Sequence, residues 1–209
     1  YAIGTPTIKA HTISSLKSLT NGTWGNLDNP MMVTVRSNTF SDKHYNIEEL
    51  SRACGIKAES ATGLPILALG DRITLTGVIC ADSLGEKMIA ITSVNTQTIG
   101  NPPLPLGMAG KGVSGIGTAT LGLLVRTWGK VTYKASDSSY VYLDDGTGVA
   151  DGTGHTGIRV MLSGLAQPIT RALANGNYVG VTGPLGLVKD GSRVVRAIRP
   201  RGDGDISVY

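Results

Sequence analysis

The sequence predicts an all-β protein built from two tandem, five-stranded Greek-key barrels. Short segments with an apolar residue at every second position are separated by Gly, Asp and Asn, a pattern typical of half-buried strands and tight turns. Glycine accounts for 29 of the 209 residues and charged residues for only 16%, which suits a turn-rich β protein. Intervals of seven and eight residues separate one set of glycines and recur in a second set: Gly70, Gly77 and Gly85, then Gly176, Gly183 and Gly191. This spacing indicates two copies of one domain.

The clearer copy occupies the second half of the chain. Its predicted strands are 123–133, 140–143, 157–162, 178–183 and 193–198. The segment 163–174, between the third and fourth strands, has helical character, and Asn175-Gly176 suits a helix C-terminus. Three strands, a short helix and two further strands is the order of the OB-fold, a partly open Greek-key barrel.

The first copy is recognised by matching segments. Its predicted strands are 32–36, 44–47, 55–58, 71–80 and 87–92. From Ile47 to Gly55 is eight residues, whereas from Leu143 to Gly157 is fourteen, so the second copy carries an insertion. The predicted organisation is an extended N-terminal segment, a first barrel, a linker rich in Pro and Gly, and a second barrel: 1–23, 24–94, 95–121 and 122–209.

The second copy also resembles a known family. From Gly122 to Ile206 the chain is similar to the OB-fold domains of exported bacterial proteins, which are often found in tandem. The resembling residues are Leu123-Leu-Val-Arg-Thr-Trp-Gly-Lys-Val-Thr, Tyr142-Leu-Asp-Asp-Gly-Thr-Gly, His155-Thr-Gly-Ile-Arg-Val, Val181-Thr-Gly and Ile198-Arg-Pro-Arg. The resemblance implies a bacterial protein that is secreted, extracellular or on the cell surface. It does not imply an activity, because OB-folds carry many unrelated functions.

Several features bear on the compartment. The chain starts at Tyr1 without an initiator Met, so we expect removal of an export leader, the alternative being a trimmed fragment. No apolar run reaches about 18 residues, so no membrane span is predicted. Cys54 and Cys80 form either one disulfide or two buried thiols. Asn21-Gly-Thr matches an N-glycosylation sequon in a turn, which predicts a glycoprotein if the source glycosylates.

No residue pattern indicates catalysis. His11, His44 and His155 lie in three separate segments, and the sequence lacks Cys-x-x-Cys and zinc-ligand His spacing. We therefore predict a protein that is not an enzyme and needs no cofactor. The inserted segment carries Asp144, Asp145 and Asp151, whose oxygens are of the type that calcium prefers. The same Asp-Gly pairs are equally what tight turns require.

The leading functional prediction is a structural subunit of an extracellular assembly, such as a helical fibre of identical subunits joined head to tail. In that prediction the N-terminal strand, with Tyr1, Ile3 and Ile8, is donated to the sheet edge of a neighbour. The alternative for this segment is a loose end that drapes on its own domain.

The second hypothesis is a module that binds single-stranded nucleic acid or oligosaccharide. Tyr140 and Tyr142 lie on one strand, and the basic residues expected beside them are Arg159, Arg193 and Arg196. The matching tyrosine positions of the first copy hold His44 and Asn46. Net charge is only +4, and residues 101–209 hold eleven basic against seven acidic residues. Because this excess is small, the sequence does not predict nucleic acid as the partner.

Overall fold

The fold is described here from a computed structural model, which covers residues 6–40, 44–60, 66–101, 103–115, 119–165 and 168–209. The predicted subunit contacts at Tyr1 and Ile3 lie outside the described residues. The described chain is all-β, with two sheets, two α-helices of five residues each and a 3-10 turn at Asp203–Asp205. The predicted fold class, two tandem OB-fold-like barrels, is confirmed.

The first barrel closes in the order of an OB-fold. Its elements are β1 (Thr7–Ala10), α1 (Ile13–Lys17), β2 (Trp24–Val35), β3 (Tyr45–Glu49), β4 (Gly55–Ser60), β5 (Arg72–Ala81) and β6 (Lys87–Thr98). The sheet runs β2-β3-β4-β6-β5, and β5 pairs back with β2. The β4–β6 pairing is parallel, which makes the connection a Greek key and not a simple meander.

The second barrel repeats this arrangement. Its elements are β7 (Leu106–Gly107), α2 (Gly110–Ser114), β8 (Leu124–Lys134), β9 (Tyr140–Asp144), β10 (Ile158–Met161), β11 (Tyr178–Asp190), β12 (Arg193–Ile198) and β13 (Ile206–Val208). The sheet runs β8-β9-β10-β12-β11, β11 pairs back with β8, and β10 and β12 are parallel. β13 is added to the far side of β11.

Each barrel encloses its own apolar core. The alternation of strand side chains turns every second residue inward. The first core takes one or more side chains from each barrel strand, including Leu27, Ile47, Ile56, Ile73 and Ile89. The second core is built likewise, including Val125, Val141, Val160, Val181 and Ile198.

The repeat extends upstream of the barrel strands. β1 lies parallel to β2 with Lys9 opposite Asn26, and β7 lies parallel to β8 with Gly107 opposite Arg126. A five-residue helix follows each short strand and inserts a fully buried side chain into the barrel core, Leu16 in α1 and Val113 in α2. The segments predicted as an N-terminal extension and a linker therefore contain matching elements.

The predicted helix over 163–174 does not form among the described residues of that segment. Gly164 has φ of 78°, outside the right-handed helical region, and Pro168 has no N–H to donate. Leu165 instead forms an isolated β-bridge with Phe40 of the first barrel. The N–H of Thr170 donates to Asp203 Oδ1 at 2.8 Å, which holds the segment in an extended course.

The N-terminal strand stays within its own barrel. β1 pairs with β2 along Thr7–Ala10, and Ile8 lies opposite Gly25. The prediction that this segment is offered to a neighbouring subunit is therefore wrong for residues 7–10. Its hydrogen-bonding edge toward β2 is already used inside the chain, as the draping alternative expects.

The two barrels meet through backbone-to-backbone contact. A Cβ on Gly55 of β4 would come within 2.5 Å of the Gly122 carbonyl carbon just before β8, so the chains approach as closely as glycine allows. Glu86 Oε2 accepts the Leu187 N–H at 2.9 Å, and Lys17 Nζ donates to the Leu121 carbonyl at 2.8 Å. Every residue of β3 is buried. The second barrel therefore covers a face of β3 that would be exposed to solvent if the first barrel stood alone.

Candidate functional site

The tyrosine platform predicted on β9 and β10 is closed. The side chain of Tyr142 is fully buried and that of Arg159 is 2% exposed. The Tyr142 hydroxyl donates to Asp151 Oδ2 at 2.8 Å and accepts from Arg159 Nε at 3.0 Å. The guanidinium of Arg159 lies over the Tyr140 ring at 4.1 Å from its centroid and pairs with Asp190. These groups satisfy one another and leave little surface for a ligand.

The inserted segment of the second barrel forms the cover. It contains Asp-Gly-Thr-Gly twice, starting at Asp145 and Asp151. In each copy one carboxylate oxygen accepts from the N–H and the hydroxyl of the Thr two residues later. The other oxygen of Asp145 accepts the Gly110 N–H of α2 at 2.7 Å, while that of Asp151 holds Tyr142. The segment ends with His155 stacked on Tyr133, 3.6 Å between ring centroids.

These carboxylates serve turns and fasten neighbouring elements. In the part of the chain that the structure describes, no three His, Cys, Asp or Glu side chains are grouped to hold a metal ion. Asp144 adds only a turn contact, accepting the Gly148 N–H at 3.0 Å. The turn alternative, not the calcium alternative, accounts for the contacts of Asp144, Asp145 and Asp151.

Tyr142 and Asp151 keep their charge states around neutral pH. Burial, together with the hydrogen bond to Asp151, raises the pKa of Tyr142 to about 12. Burial would raise the pKa of Asp151 as well, but the hydroxyl groups of Thr153 and Tyr142 and nearby Arg159 lower it overall. A neutral donor therefore faces an ionised acceptor at neutral pH.

The remaining predicted basic residues are also engaged. Arg193 Nη1 donates to the carbonyl of Gly152 in the cover, and Arg196 Nη1 donates to Thr120 Oγ1 at 2.7 Å. In the structure Tyr140, Tyr142 and Arg159 lie together. Arg193 and Arg196 instead make the hydrogen bonds just described. The predicted platform is therefore not an open ligand site.

A second aromatic cluster on the same barrel is open to solvent. We call it the aromatic–basic face; its residues are Arg126, Trp128, Lys130, Tyr178 and Tyr209. The first three are the outward residues of β8, where exposed and buried side chains alternate. Lys130 lies opposite Tyr178 of β11, and the N–H of Tyr209 donates to the Tyr178 carbonyl at 2.9 Å. Trp128 is 62% exposed, Tyr178 52% and Tyr209 76%.

A hollow of about 660 Å³ opens in this face. Gly180 of β11 lies directly opposite Trp128 and contributes no side chain. A Cβ placed there would lie 3.5 Å from the Tyr209 ring and 3.6 Å from Arg126 Nη2. The glycine thus forms part of the floor, and the rings and the guanidinium stand around it. Met108 and Ala109, which precede α2, line the other side.

The functional groups of this face are available to a ligand. Within the described residues, none of its five side chains makes a hydrogen bond or ion pair. Exposed Trp and Tyr rings clustered beside unpaired cations are unusual on a protein surface and mark interaction sites.

The equivalent face of the first barrel has different chemistry. Asn26 pairs opposite Thr76 as Arg126 pairs opposite Thr182, so the two faces can be matched residue by residue. Two residues further along β2, Asp28 occupies the position of Trp128. Asn26 Nδ2 donates to Thr76 Oγ1 at 2.8 Å, so the polar groups of this face partly satisfy each other. The shared fold therefore does not explain the rings and cations of the second barrel.

Sequence reasoning missed this face for a definable reason. Trp128 and Tyr178 were placed on strands, but their proximity depends on the pairing of the first and fourth barrel strands. The available signal was the alternation Arg126, Trp128, Lys130 on the outward side of one strand. Only the closure between β8 and β11 brings Tyr178 beside that row.

The structure also shows the surroundings of Cys54, Cys80 and Asn21, the three other predicted site residues. Cys54 is buried and Cys80 partly buried, and both are free thiols, so the disulfide alternative does not hold in this structure. Asn21 is exposed in a turn and accepts from Lys87 Nζ at 2.8 Å. Neither helix of the described chain has the length and apolar character needed to cross a lipid bilayer.

No protein-family model and no curated protein matches the chain. Among solved structures it is similar to the Ifi202 HINa domain in complex with 20 bp dsDNA, at 10% identity and a TM-score of 0.36, covering 91% of this chain and 97% of that one. It is also similar to the p204 HINb domain, at 13% identity and a TM-score of 0.33, covering 86% of this chain and 95% of that one.

The leading functional prediction, a fibre subunit that binds copies of itself with nucleic acid not expected, is wrong. The pairing of β1 inside its own barrel removes the contact on which the fibre prediction relied.

Proposed function

We propose that the chain is a non-catalytic module that binds nucleic acid through the aromatic–basic face of its second barrel. One observation carries this proposal: Trp128, Tyr209 and Arg126 line a hollow on one sheet face, and Tyr178 and Lys130 lie opposite each other farther along the same face. Aromatic rings that stack on bases and cations that contact phosphates are the two parts of an OB-type nucleic-acid site.

The cations favour nucleic acid over a neutral oligosaccharide. Both ligands stack on aromatic rings, but only nucleic acid carries a phosphate for each Arg or Lys. Arg126 and Lys130 flank Trp128 on the same strand, two residues to either side. Outward side chains two residues apart on a strand are about 7 Å apart, so the two cations lie about 13 Å apart with Trp128 between them and contact the backbone on either side of a base stacked on its ring.

Fluorescence anisotropy with labelled oligonucleotides tests the proposal. Trp128→Ala should weaken binding by about five- to 150-fold, because stacking of a base on an aromatic ring is worth about 1–3 kcal/mol. Asp28→Ala, at the same position of the first barrel, is the matched control and should leave affinity unchanged. Oligonucleotide binding that is equal in wild type and Trp128→Ala would refute the proposed site. Competition by an uncharged oligosaccharide at equal concentration would favour the sugar alternative.

Other predictions from the sequence stay predictions. A secreted location, a bacterial source and use of the Asn21 sequon rest on the resemblance and on sequence patterns alone. The proposal that the chain is not an enzyme rests on the separation of His11, His44 and His155 in the sequence. Assay of the purified protein for nuclease activity on the same oligonucleotides would test that last point directly.

A further inference from the structure

We infer that the aromatic–basic face binds an unpaired strand by base stacking, in preference to a duplex. This inference rests on the proposed function and specifies its ligand. It depends on two observations. The face has three aromatic rings but only two cations, and a glycine forms the floor of the hollow.

The rings favour unpaired bases. Trp128 and Tyr209 expose most of their surface, and Tyr178 about half. In a duplex the flat faces of the bases are covered by neighbouring bases, so a protein ring reaches them only at an end or after unstacking. Extruding a base from a duplex costs a few kcal/mol, whereas a single strand offers its bases freely.

The cations are too few for a duplex site of ordinary affinity. Arg126 and Lys130 are the unpaired basic side chains of the aromatic–basic face. Duplex-binding proteins neutralise about six to ten phosphates, and their affinity falls steeply with salt. With two phosphate contacts on a single strand, log Kobs should fall with log[salt] at a slope of about −1.4.

The hollow is large enough to hold a base together with its sugar. Its volume of about 660 Å³ lies within the range of about 300–1,000 Å³ found for small-ligand sites. Gly180 keeps its centre open, and the ring of Trp128 stands across the strand from it. A base that enters between Trp128 and Tyr209 would rest above Gly180 with Arg126 beside its phosphate.

One substitution tests the hollow without removing any ring or cation. Gly180→Val adds methyl groups toward Tyr209 and Arg126, since even a Cβ would be in van der Waals contact with both. Its backbone φ is not in the left-handed region, so a β-branched residue fits the strand. The matched control is Thr74→Val, because Thr74 lies two residues before Thr76 as Gly180 lies two before Thr182.

The experiment compares a 12-nucleotide single strand with the duplex of the same sequence at several salt concentrations. We expect the single strand to bind at least tenfold more tightly than the duplex, with the shallow slope given above. Gly180→Val should lower single-strand affinity at least tenfold, and Thr74→Val should not. Arg126→Ala should reduce the slope by about 0.7, the share of one phosphate contact. Trp128→Phe, which keeps a ring, should retain more affinity than Trp128→Ala.

The experiment distinguishes failure of the proposed nucleic-acid function from failure of the single-strand inference. If the duplex binds as tightly as the single strand and Trp128→Ala weakens both, the nucleic-acid proposal stands and the single-strand inference is overturned. Unchanged single-strand affinity in a folded Gly180→Val variant, or a slope several times steeper, also overturns the inference. If neither form binds to wild type, the proposed function itself fails.

Discussion

Two tyrosines of the second barrel show that environment decides the role of a residue. Tyr142 is buried beneath the inserted segment, where Asp151, Thr153 and Arg159 surround its hydroxyl. Tyr178 is half exposed, and in the described structure its hydroxyl makes no internal hydrogen bond. Both are tyrosines, and the sequence places both of them on strands. Burial is a property of the closed barrel and of its cover, so the sequence did not show that Tyr142 is enclosed and Tyr178 exposed.

The first prediction concerns the hydroxyl of Tyr142. Tyr142→Phe should lower the free energy of unfolding by about 1–3 kcal/mol, since it leaves buried partners of the hydroxyl unsatisfied. Oligonucleotide affinity should not change, because the residue lies outside the aromatic–basic face. Urea denaturation followed by circular dichroism measures the first effect. Tyr178→Phe is the control and should leave stability within about 0.5 kcal/mol of wild type.

At the scale of elements, strands were far easier to predict than helices. The alternation of apolar residues gave seven of the ten barrel strands to within about two residues at each end, a usual margin for such boundaries; β6 and β11 run six and seven residues further than predicted at their C-termini. β2 begins eight residues earlier than predicted and includes Asn29 and Pro30, where its pairing with β5 is irregular. The sequence allows about one helical turn over 13–19, where α1 forms, but it gave no sign of α2, since five residues are too few to show a helical period.

The second prediction concerns α1 as part of the first core. Leu16→Ala should lower the free energy of unfolding by about 2–5 kcal/mol, the range for a fully buried Leu. Its Cδ1 occupies the space where a Cβ on Gly25 of β2 would lie, so Gly25 has no side chain to fill the space left. Leu104→Ala is the control at an 81% exposed position and should cost less than about 0.5 kcal/mol. Equal losses of unfolding free energy in the two variants would contradict the inference that α1 contributes Leu16 to the first core.

On the scale of the whole molecule, the barrels are joined through buried ionisable groups. Glu86 of the first barrel is 4% exposed and accepts the N–H of Leu187, and Glu48 accepts that of Leu124. Burial raises the pKa of both carboxyl groups despite these hydrogen bonds and nearby Lys and Arg charges. The sequence offered no route to this interface, because its partners lie about 75 to 100 residues apart in the chain and no short-range pattern links them.

The third prediction is a pH dependence of stability that Glu86 contributes. Its folded pKa lies above the usual 4.5, so the folded state holds the proton more tightly than the unfolded state. The resulting stabilisation is present below pH 4.5 and is lost as pH rises through the folded pKa. Glu86→Gln keeps an acceptor for Leu187 without an ionisable group, so its melting temperature should rise relative to wild type as pH increases from 4.5 to 8. A difference between the two melting curves that does not vary with pH would contradict this prediction.

The unequal chemistry of the two barrels bears on how many ligands one molecule carries. The first barrel turns amide, carboxylate and hydroxyl groups outward where the second turns rings and cations. A titration should therefore saturate at one equivalent of short oligonucleotide per chain, although the architecture is duplicated. On a long strand, each molecule would occupy one segment and gain no avidity from its other half.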